Sequence, residues 1–275
     1  MSSLAAHDFH GSDPHPNQRG LRSWWSSYLG RRLVGELLLV TALFSAYRYI
    51  RLLTRNDSTE AMGNAQRVVH LERRLHLFNE QGLQNIVLNS HGLVAFFNRY
   101  YVTAHFTLTA VFVVWLYGRH PDVYPRVRNW FAMVTAAALL IHVTYPLAPP
   151  RMIRTIGFVD TLQRYGPRIY STNTSDSLAN QFAAMPSLHF GWAVMVAVSV
   201  VAIKRTRRSL VVLLHPAVTL LAIVVTANHY WLDAAVALFL VVSAAALLRV
   251  VGHIRVEDAA QRRPTRETVP TPTTG

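Results

Sequence analysis

Apolar residues gather into long blocks along this chain, separated by short polar intervals that carry arginine. Six blocks come near the roughly 20 residues that a helix needs to cross a bilayer core. They are 33–50, 93–117, 130–148, 187–203, 209–227 and 231–250. The first carries Glu36 and Arg48, charges that are costly in lipid, and the fourth is short. Residues 64–79, NAQRVVHLERRLHLFN, follow a different rule. Val68, Leu71, Leu75 and Phe78 recur at helical spacing against Arg67, Arg73 and Arg74. Two placements fit this pattern, an amphipathic helix lying in the membrane interface or a helix packed at the mouth of the bundle. The expected architecture is all-α and polytopic, with six transmembrane helices plus an interfacial amphipathic helix. A membrane domain at 33–251 would be flanked by polar tails at 1–32 and 252–275, both expected to be disordered and cytoplasmic. Residues 1–32 hold no apolar run, so no secretory signal peptide is expected. No internal repeat of fixed period is present.

Composition sharpens the picture. Hydrophobic residues make up 51% of the 275, charged residues only 15%, and mean hydropathy is +0.21. A soluble domain carries about 25% charged residues, which argues against a water-soluble enzyme with a single core. The chain has no cysteine, and this excludes disulfide scaffolds, thiol nucleophiles, thiolate zinc sites and iron–sulfur clusters. Net charge is +13, from 26 arginines and one lysine against 14 acids. Basic and apolar together fit either nucleic acid or membrane. There is no compact basic domain with interleaved aromatics and no nucleic-acid motif. The arginines instead punctuate the apolar blocks, as they do in membrane proteins.

Their distribution predicts an orientation. With the N-terminus in the cytoplasm, the cytoplasmic segments are 1–32, 118–129, 204–208 and the tail from Arg249, and they hold 16 of the 27 basic residues. The loop Lys204-Arg205-Thr206-Arg207-Arg208 is the sharpest marker. The expected location is the plasma (cytoplasmic) membrane. Three polar clusters then fall together on the external face: Tyr145-Pro146-Leu147-Ala148-Pro149-Pro150-Arg151, Ala184-Met185-Pro186-Ser187-Leu188-His189 and Asn228-His229-Tyr230-Trp231-Leu232-Asp233.

Each cluster carries chemistry. His229 and Asp233 are four residues apart and so neighbour each other on one helix face. A carboxylate on one imidazole nitrogen fixes the tautomer and leaves the other nitrogen to act as nucleophile or base. The same pair also reads as a structural cap on the span. Pro186-Ser187-Leu188-His189 opens a helix, where unpaired N–H groups and the Ser187 hydroxyl suit a phosphate and His189 is placed to protonate a leaving oxygen. Arg151 ends a Pro-Pro turn and offers five fixed donors that match phosphate oxygens, or serves as an ordinary interfacial arginine. Asn228 either binds phosphate or caps the helix. Tyr101 and His105 lie four apart in the second block, facing the cavity or filling a structural role, and His142 and His215 read as structural. The interval 152–185, with Gly157, Gly166 and the polar run Ser171–Asp176, reads as a long loop over the site.

Together the three clusters resemble the signature motifs of the type 2 phosphatidic acid phosphatase superfamily of membrane lipid phosphatases. Pro186-Ser187-Leu188-His189 resembles the second motif, Pro-Ser-Gly-His, with Leu for Gly. His229 and Asp233 resemble the His-x-x-x-Asp of the third, and Arg151 the arginine of the first. The wording Pro-x-Ala-Pro-Pro-Arg, Met-Pro-Ser-Leu-His and Asn-His-Tyr-x-x-Asp is closer to the branch holding the fungal inositol phosphorylceramide synthases. The similarity covers roughly residues 60–250. Two cations of the phosphatase pattern are absent. Thr144 stands seven residues before Arg151 where the phosphatases carry Lys, and Ala222-Ile223 stands where they carry Ser-Arg. Arg154, Arg164 and Arg168 of the outer loop are the available substitutes.

The resemblance implies a lipid phosphotransferase or phosphatase working through a phosphohistidine on His229. Asp233 would support that imidazole, His189 would act as acid and base, and Arg151, Ser187 and Asn228 would hold phosphate. It implies no metal and no cofactor. The expected partners are a lipid substrate, a hydroxyl-bearing acceptor such as inositol or a glycolipid, and the membrane, with no nucleic acid. Three other readings stand beside it. The first is a phosphatase for phosphatidic acid or polyprenyl phosphate. The second is a non-catalytic lipid carrier or scaffold. The third is a metalloprotein with His189, His229 and Asp233 as ligands.

Overall fold

The computed structural model describes residues 58–166 and 182–261, with side chains to 251 except that of Arg154. It also describes helical positions 34–36, 38, 41, 42, 45 and 49. The rest of the block at 33–50, the N-terminal segment to 33, the run Ser171–Asp176 and the tail from 262 lie outside the described residues.

Among the described residues the fold is helical, with one isolated bridge between Leu147 and Ala183. Eight helical elements follow in order: α1 Ser58–Arg74, α2 Glu80–Leu88, α3 His91–Arg119, α4 Tyr124–Thr144, α5 Thr161–Tyr165, α6 Leu188–Lys204, α7 Arg207–Val225 and α8 Trp231–Gln261. Four of them, α3, α4, α7 and α8 from Trp231 to Val251, are long and apolar enough to cross a membrane. The helix α6 is shorter, at 17 residues, and spans about 25 Å at 1.5 Å per residue. Five of the six apolar blocks are therefore helices whose ends lie within a few residues of expectation, except that α4 starts and stops several residues earlier and α8 runs on to Gln261, into the segment from 252 expected to be disordered.

The shortest apolar helix is the central one. α6 packs against α7, α8, α4 and α3. Apart from Val196, its buried positions are small or flexible: Gly191, Ala193, Met195, Ala197 and Ser199. Small residues let helices approach closely where lipid offers no hydrophobic drive to associate. The outward faces carry large apolar side chains, with Val114 72%, Phe239 69% and Leu140 64% exposed. In water such a surface would aggregate; it is a lipid-facing wall.

Helix ends follow local chemistry. Ser90 and Ser187 accept bonds from Leu93 N and Phe190 N as N-caps of α3 and α6, and Pro125 occupies the first turn of α4. α3 contains a π turn at Tyr100–Ala104. The extra residue in that turn rotates Tyr101 inward.

α1 corrects the expected amphipathic face. Its buried side is Ala61, Asn64, Ala65, Val68, Val69 and Glu72, while Leu71 and Leu75 are exposed. Ala61, Ala65, Val68 and Val69 form one cluster with Leu147, Ala148, Ile153 and Tyr230. The helix is packed at the mouth of the bundle, and its large leucines point away from the protein.

Candidate active site

The first cluster is laid down as an irregular segment pinned on both sides. Leu147 N donates to Phe182 O at 2.7 Å and Ala184 N to Leu147 O at 3.2 Å, which ties the first cluster to the second. Ala148 N donates to Ala61 O, Asn64 Nδ2 to Pro146 O, and the fully buried Tyr230 hydroxyl to Ala148 O at 3.0 Å. Pro150–Met152 forms a single 3₁₀ turn, and Arg151 N donates to Ala227 O at 3.0 Å. The Arg151 side chain is only 6% exposed. Its guanidinium donates to Asn228 Oδ1 and lies 3.5 Å from the Asp160 carboxylate. The Asn228 amide in turn donates to Thr226 Oγ1 at 2.8 Å, so Asn228 holds Arg151 in place and joins it to the end of α7.

The third cluster begins where α7 ends. Ala227 adopts φ +54, a left-handed conformation that costs a non-glycine residue about 1–2 kcal/mol. In return Ala227 N bonds Val224 O, while Asn228 N and His229 N both bond Ile223 O. The chain thereby doubles back and delivers His229 beside the second cluster. His229 Nδ1 lies 2.7 Å from Ala184 O and 3.3 Å from Asp233 Oδ2. A carbonyl only accepts, so Nδ1 carries the proton and Nε2 the lone pair. The expected Asp233 contact exists, but the closer anchor is the Ala184 carbonyl. Burial pushes the His229 imidazole down to about 4; Arg151 lowers it further and the Ala184 bond works the other way. His229 is therefore neutral at pH 7, with its lone pair available.

The second cluster meets the third at the helix start. Ser187 is fully buried, and Ser187 N donates to Asp233 O at 3.1 Å. The His189 and His229 ring centroids are 6.2 Å apart. His189 stacks on Tyr101 at 4.3 Å and 16°, with Phe106 and His105 at 5.1 and 4.8 Å. His105 continues to His215 at 5.5 Å, and His215 Nδ1 meets the Tyr100 hydroxyl. Of the other histidines singled out by sequence, His142 Nε2 lies 3.4 Å from Pro186 O, below the second cluster. Asn228, Arg151, Ser187, His189, His229 and Asp233 thus all converge at one end of the bundle.

The two positions where the phosphatases carry extra cations do not supply them here. Ile223 is fully buried among Tyr101, Leu162 and Val224, and Thr144 is exposed and bonds Leu140 O of its own helix. Arg164 lies over the ring of its neighbour Tyr165. Arg168 and the side chain of Arg154 are outside the described residues. Among the described residues, no group of three or more His, Asp or Glu side chains is placed to hold a metal.

Four polar residues that support the site read in sequence as ordinary helix surface. Gln84 donates to Val159 O and Val225 O and accepts from Val159 N, all at 2.9 Å. Asn98 donates to Thr161 O and Gly166 O and accepts from Thr161 Oγ1. Together they hold the 159–166 segment against α7. Glu72 and Glu80, both fully buried, reach the start of α8. Gln84→Leu should strand buried carbonyls at a cost of roughly 1–3 kcal/mol each. A lowered thermal midpoint in detergent would show it; an unchanged midpoint would mean that the contacts carry no stability.

A family model for the PAP2 superfamily matches residues 66–247, more than half of the chain and the whole of the described site. No curated protein matches the chain, and no solved structure does. The Arg, Ser-x-His and His-x-x-x-Asp elements that resembled this superfamily in sequence stand together in the fold, within the matched residues: the chain belongs to the PAP2 superfamily.

Proposed function

We propose that this protein is an integral membrane enzyme that transfers a substituted phosphoryl group between lipid-linked or polyol hydroxyls, through a phosphohistidine on His229. Membership of the superfamily supports phosphatase- or phosphotransferase-type chemistry on lipid phosphates. The observation that carries the mechanism is the anchoring of His229 Nδ1 by Ala184 O and Asp233, which leaves Nε2 as the nucleophilic atom. The His189 ring stands beside it, 6.2 Å away centroid to centroid.

In the first step Nε2 of His229 attacks phosphorus and a P–N bond forms. The P–O bond to the leaving alcohol breaks, and His189 supplies the proton that oxygen needs. Asp233 and the Ala184 carbonyl face the Nδ1–H of the now cationic ring. In the second step His189 takes the proton of the acceptor hydroxyl, that oxygen attacks phosphorus, and the P–N bond breaks to return neutral His229. Arg151, steered by Asn228, and the Ser187 hydroxyl serve the oxygens where negative charge grows.

The phosphatase reading uses the same intermediate with water as acceptor. Transfer is favoured by positions 223 and 144, which carry no cation. Ile223 is buried in an apolar cluster and Thr144 bonds its own helix, so the two extra charges that suit a dianionic monoester are missing. A phosphodiester donor carries one negative charge and needs fewer. Inositol or a glycolipid is the acceptor class that the motif wording points to. Labelled phosphodiester lipid supplied with polyol, sugar and lipid acceptors should give labelled transfer product. Inorganic phosphate from a monoester as the only product would establish the phosphatase instead.

Two further outcomes follow. The acid limb of kcat/KM should fall near pH 4, where His229 becomes protonated, and not near the ordinary histidine value of about 6.5. A limb near 6.5 would place the nucleophile elsewhere. The orientation is six spans with cytoplasmic termini and an external site. In this chain without native cysteine, Ser175→Cys should react with an impermeant thiol reagent in intact cells. Labelling only after permeabilisation inverts the topology.

A further inference from the structure

Resting on that reading of His229, a further feature concerns what holds it. The helix α8 starts at Trp231, so its first backbone N–H groups have no partner within the helix. A Ser or Asp N-cap would ordinarily take one of them, but position 230 is Tyr. Three carboxyl groups from three parts of the chain do the work instead. Asp233 reaches back to Tyr230 N at 2.9 Å, the returning half of a capping box. Glu80, the first residue of α2, accepts from Trp231 N at 3.5 Å. Glu72, near the end of α1, accepts from Leu232 N at 2.9 Å. The same α1–α2 turn clamps the Trp231 indole, whose Nε1 donates to Asn79 at 2.8 Å.

Glu72 and Glu80 are each fully buried, and each uses one oxygen on α8. Their second oxygens are buried with no hydrogen-bond partner among the described residues, and the two carboxyls lie close enough for Glu80 to act on Glu72. Two neighbouring carboxylates would repel and neither has a hydrogen to donate, whereas one proton between them removes a buried charge and supplies a donor. The other charged or titratable groups around the pair are Asp233 and Tyr230 in the same turn and Arg151 beyond Tyr230.

We propose that Glu72 and Glu80 are positioning residues for the nucleophile: one proton shared between their outer oxygens lets both inner oxygens cap α8, and so sets where His229 and Asp233 stand. The pair touches neither substrate nor the reacting atoms. It acts through the turn that carries His229. Burial, and then the neighbouring Glu80, hold the Glu72 carboxyl well above the usual carboxylate range, at about 9. A carboxyl raised in the folded state stabilises that state fully below its unfolded value of about 4.5 and loses the contribution as pH rises through the folded value. The geometry at His229 should therefore loosen near pH 9 as the shared proton leaves.

The test measures kcat, KM and their pH dependence for Glu72→Leu and Glu72→Gln in the full-length membrane enzyme, with a labelled phosphodiester lipid. Glu72→Gln keeps an oxygen for Leu232 N and supplies a permanent N–H to Glu80. It should hold kcat within about 3-fold of native at neutral pH and lose the fall in rate near pH 9, while the fall set by deprotonation of the acid His189 stays. Glu72→Leu removes the cap and should lower kcat by about 10- to 100-fold with KM little changed, the scale of a small misplacement of a reacting group. A folded Glu72→Leu protein with native kcat overturns the proposal, and so does a Glu72→Gln protein that keeps the native fall near pH 9. If Glu72→Leu does not fold, the Glu72→Gln pH profile decides alone. His229→Ala, run alongside, separates the two levels: activity in that variant removes the nucleophile reading itself.

Discussion

His229→Ala should lose turnover by on the order of 10⁴- to 10⁶-fold, the scale seen when a covalent nucleophile is removed from a site that acts as a unit. The reason lies in the anchoring of its ring. Nδ1 is held by a backbone carbonyl and by Asp233, so the ring cannot rotate to present another atom, and no neighbouring group can take its place. Asp233→Asn should lose most of the rate as well, because its carboxyl both faces Nδ1 and caps Tyr230 N. Activity should survive chelators and fall with vanadate, which mimics trigonal-bipyramidal phosphorus. Normal turnover in His229→Ala protein would remove the phosphohistidine mechanism, and a cellular role that survives the substitution without turnover would favour the carrier or scaffold; loss of activity to chelators would favour the metalloprotein.

Arg151→Ala carries the second-largest expected effect, about 10²- to 10³-fold in kcat, typical of removing one preorganised donor from a site of developing charge. Ile223 is apolar and Thr144 bonds its own helix, so neither position supplies a cation that would compensate. Arg151→Lys should recover only part of the loss, since an ammonium cannot bond Asn228 and present a planar fork to phosphate oxygens at once. Asn228→Ala should cost less than Arg151→Ala, because Asp160 still holds the guanidinium from the other side. Equal rates for Arg151→Ala and native protein would remove Arg151 from the phosphate site.

Four of the spans and the three clusters were legible because each rests on a local signal. A run of apolar residues has one cheap solution in lipid, and a His-x-x-x-Asp spacing puts both side chains on one helix face whatever surrounds it. The face of α1 was misread for a physical reason. In a membrane bundle the buried positions are small or polar and the outward ones large and apolar, so Leu71 and Leu75 marked the exposed side while Ala61, Ala65 and Glu72 marked the buried one. Glu72, Glu80, Gln84 and Asn98 look like helix surface in sequence. Their partners lie 63 to 160 residues away and are backbone atoms that any residue could supply. The Ala184 carbonyl that fixes the His229 tautomer leaves no mark in sequence for the same reason. The π turn that sets Tyr101 on His189 likewise has no residue type that announces it.

The central claim is a covalent bond between phosphorus and Nε2 of His229. The direct measurement is to quench the enzyme during turnover of a phosphorus-labelled phosphodiester lipid, digest it, and locate the label by mass spectrometry. The account predicts label on the peptide holding His229, lost in acid and stable in base, absent from His229→Ala and longer-lived in His189→Ala. Label on another residue, or product formed at native rate with no labelled enzyme at any quench time, would contradict it.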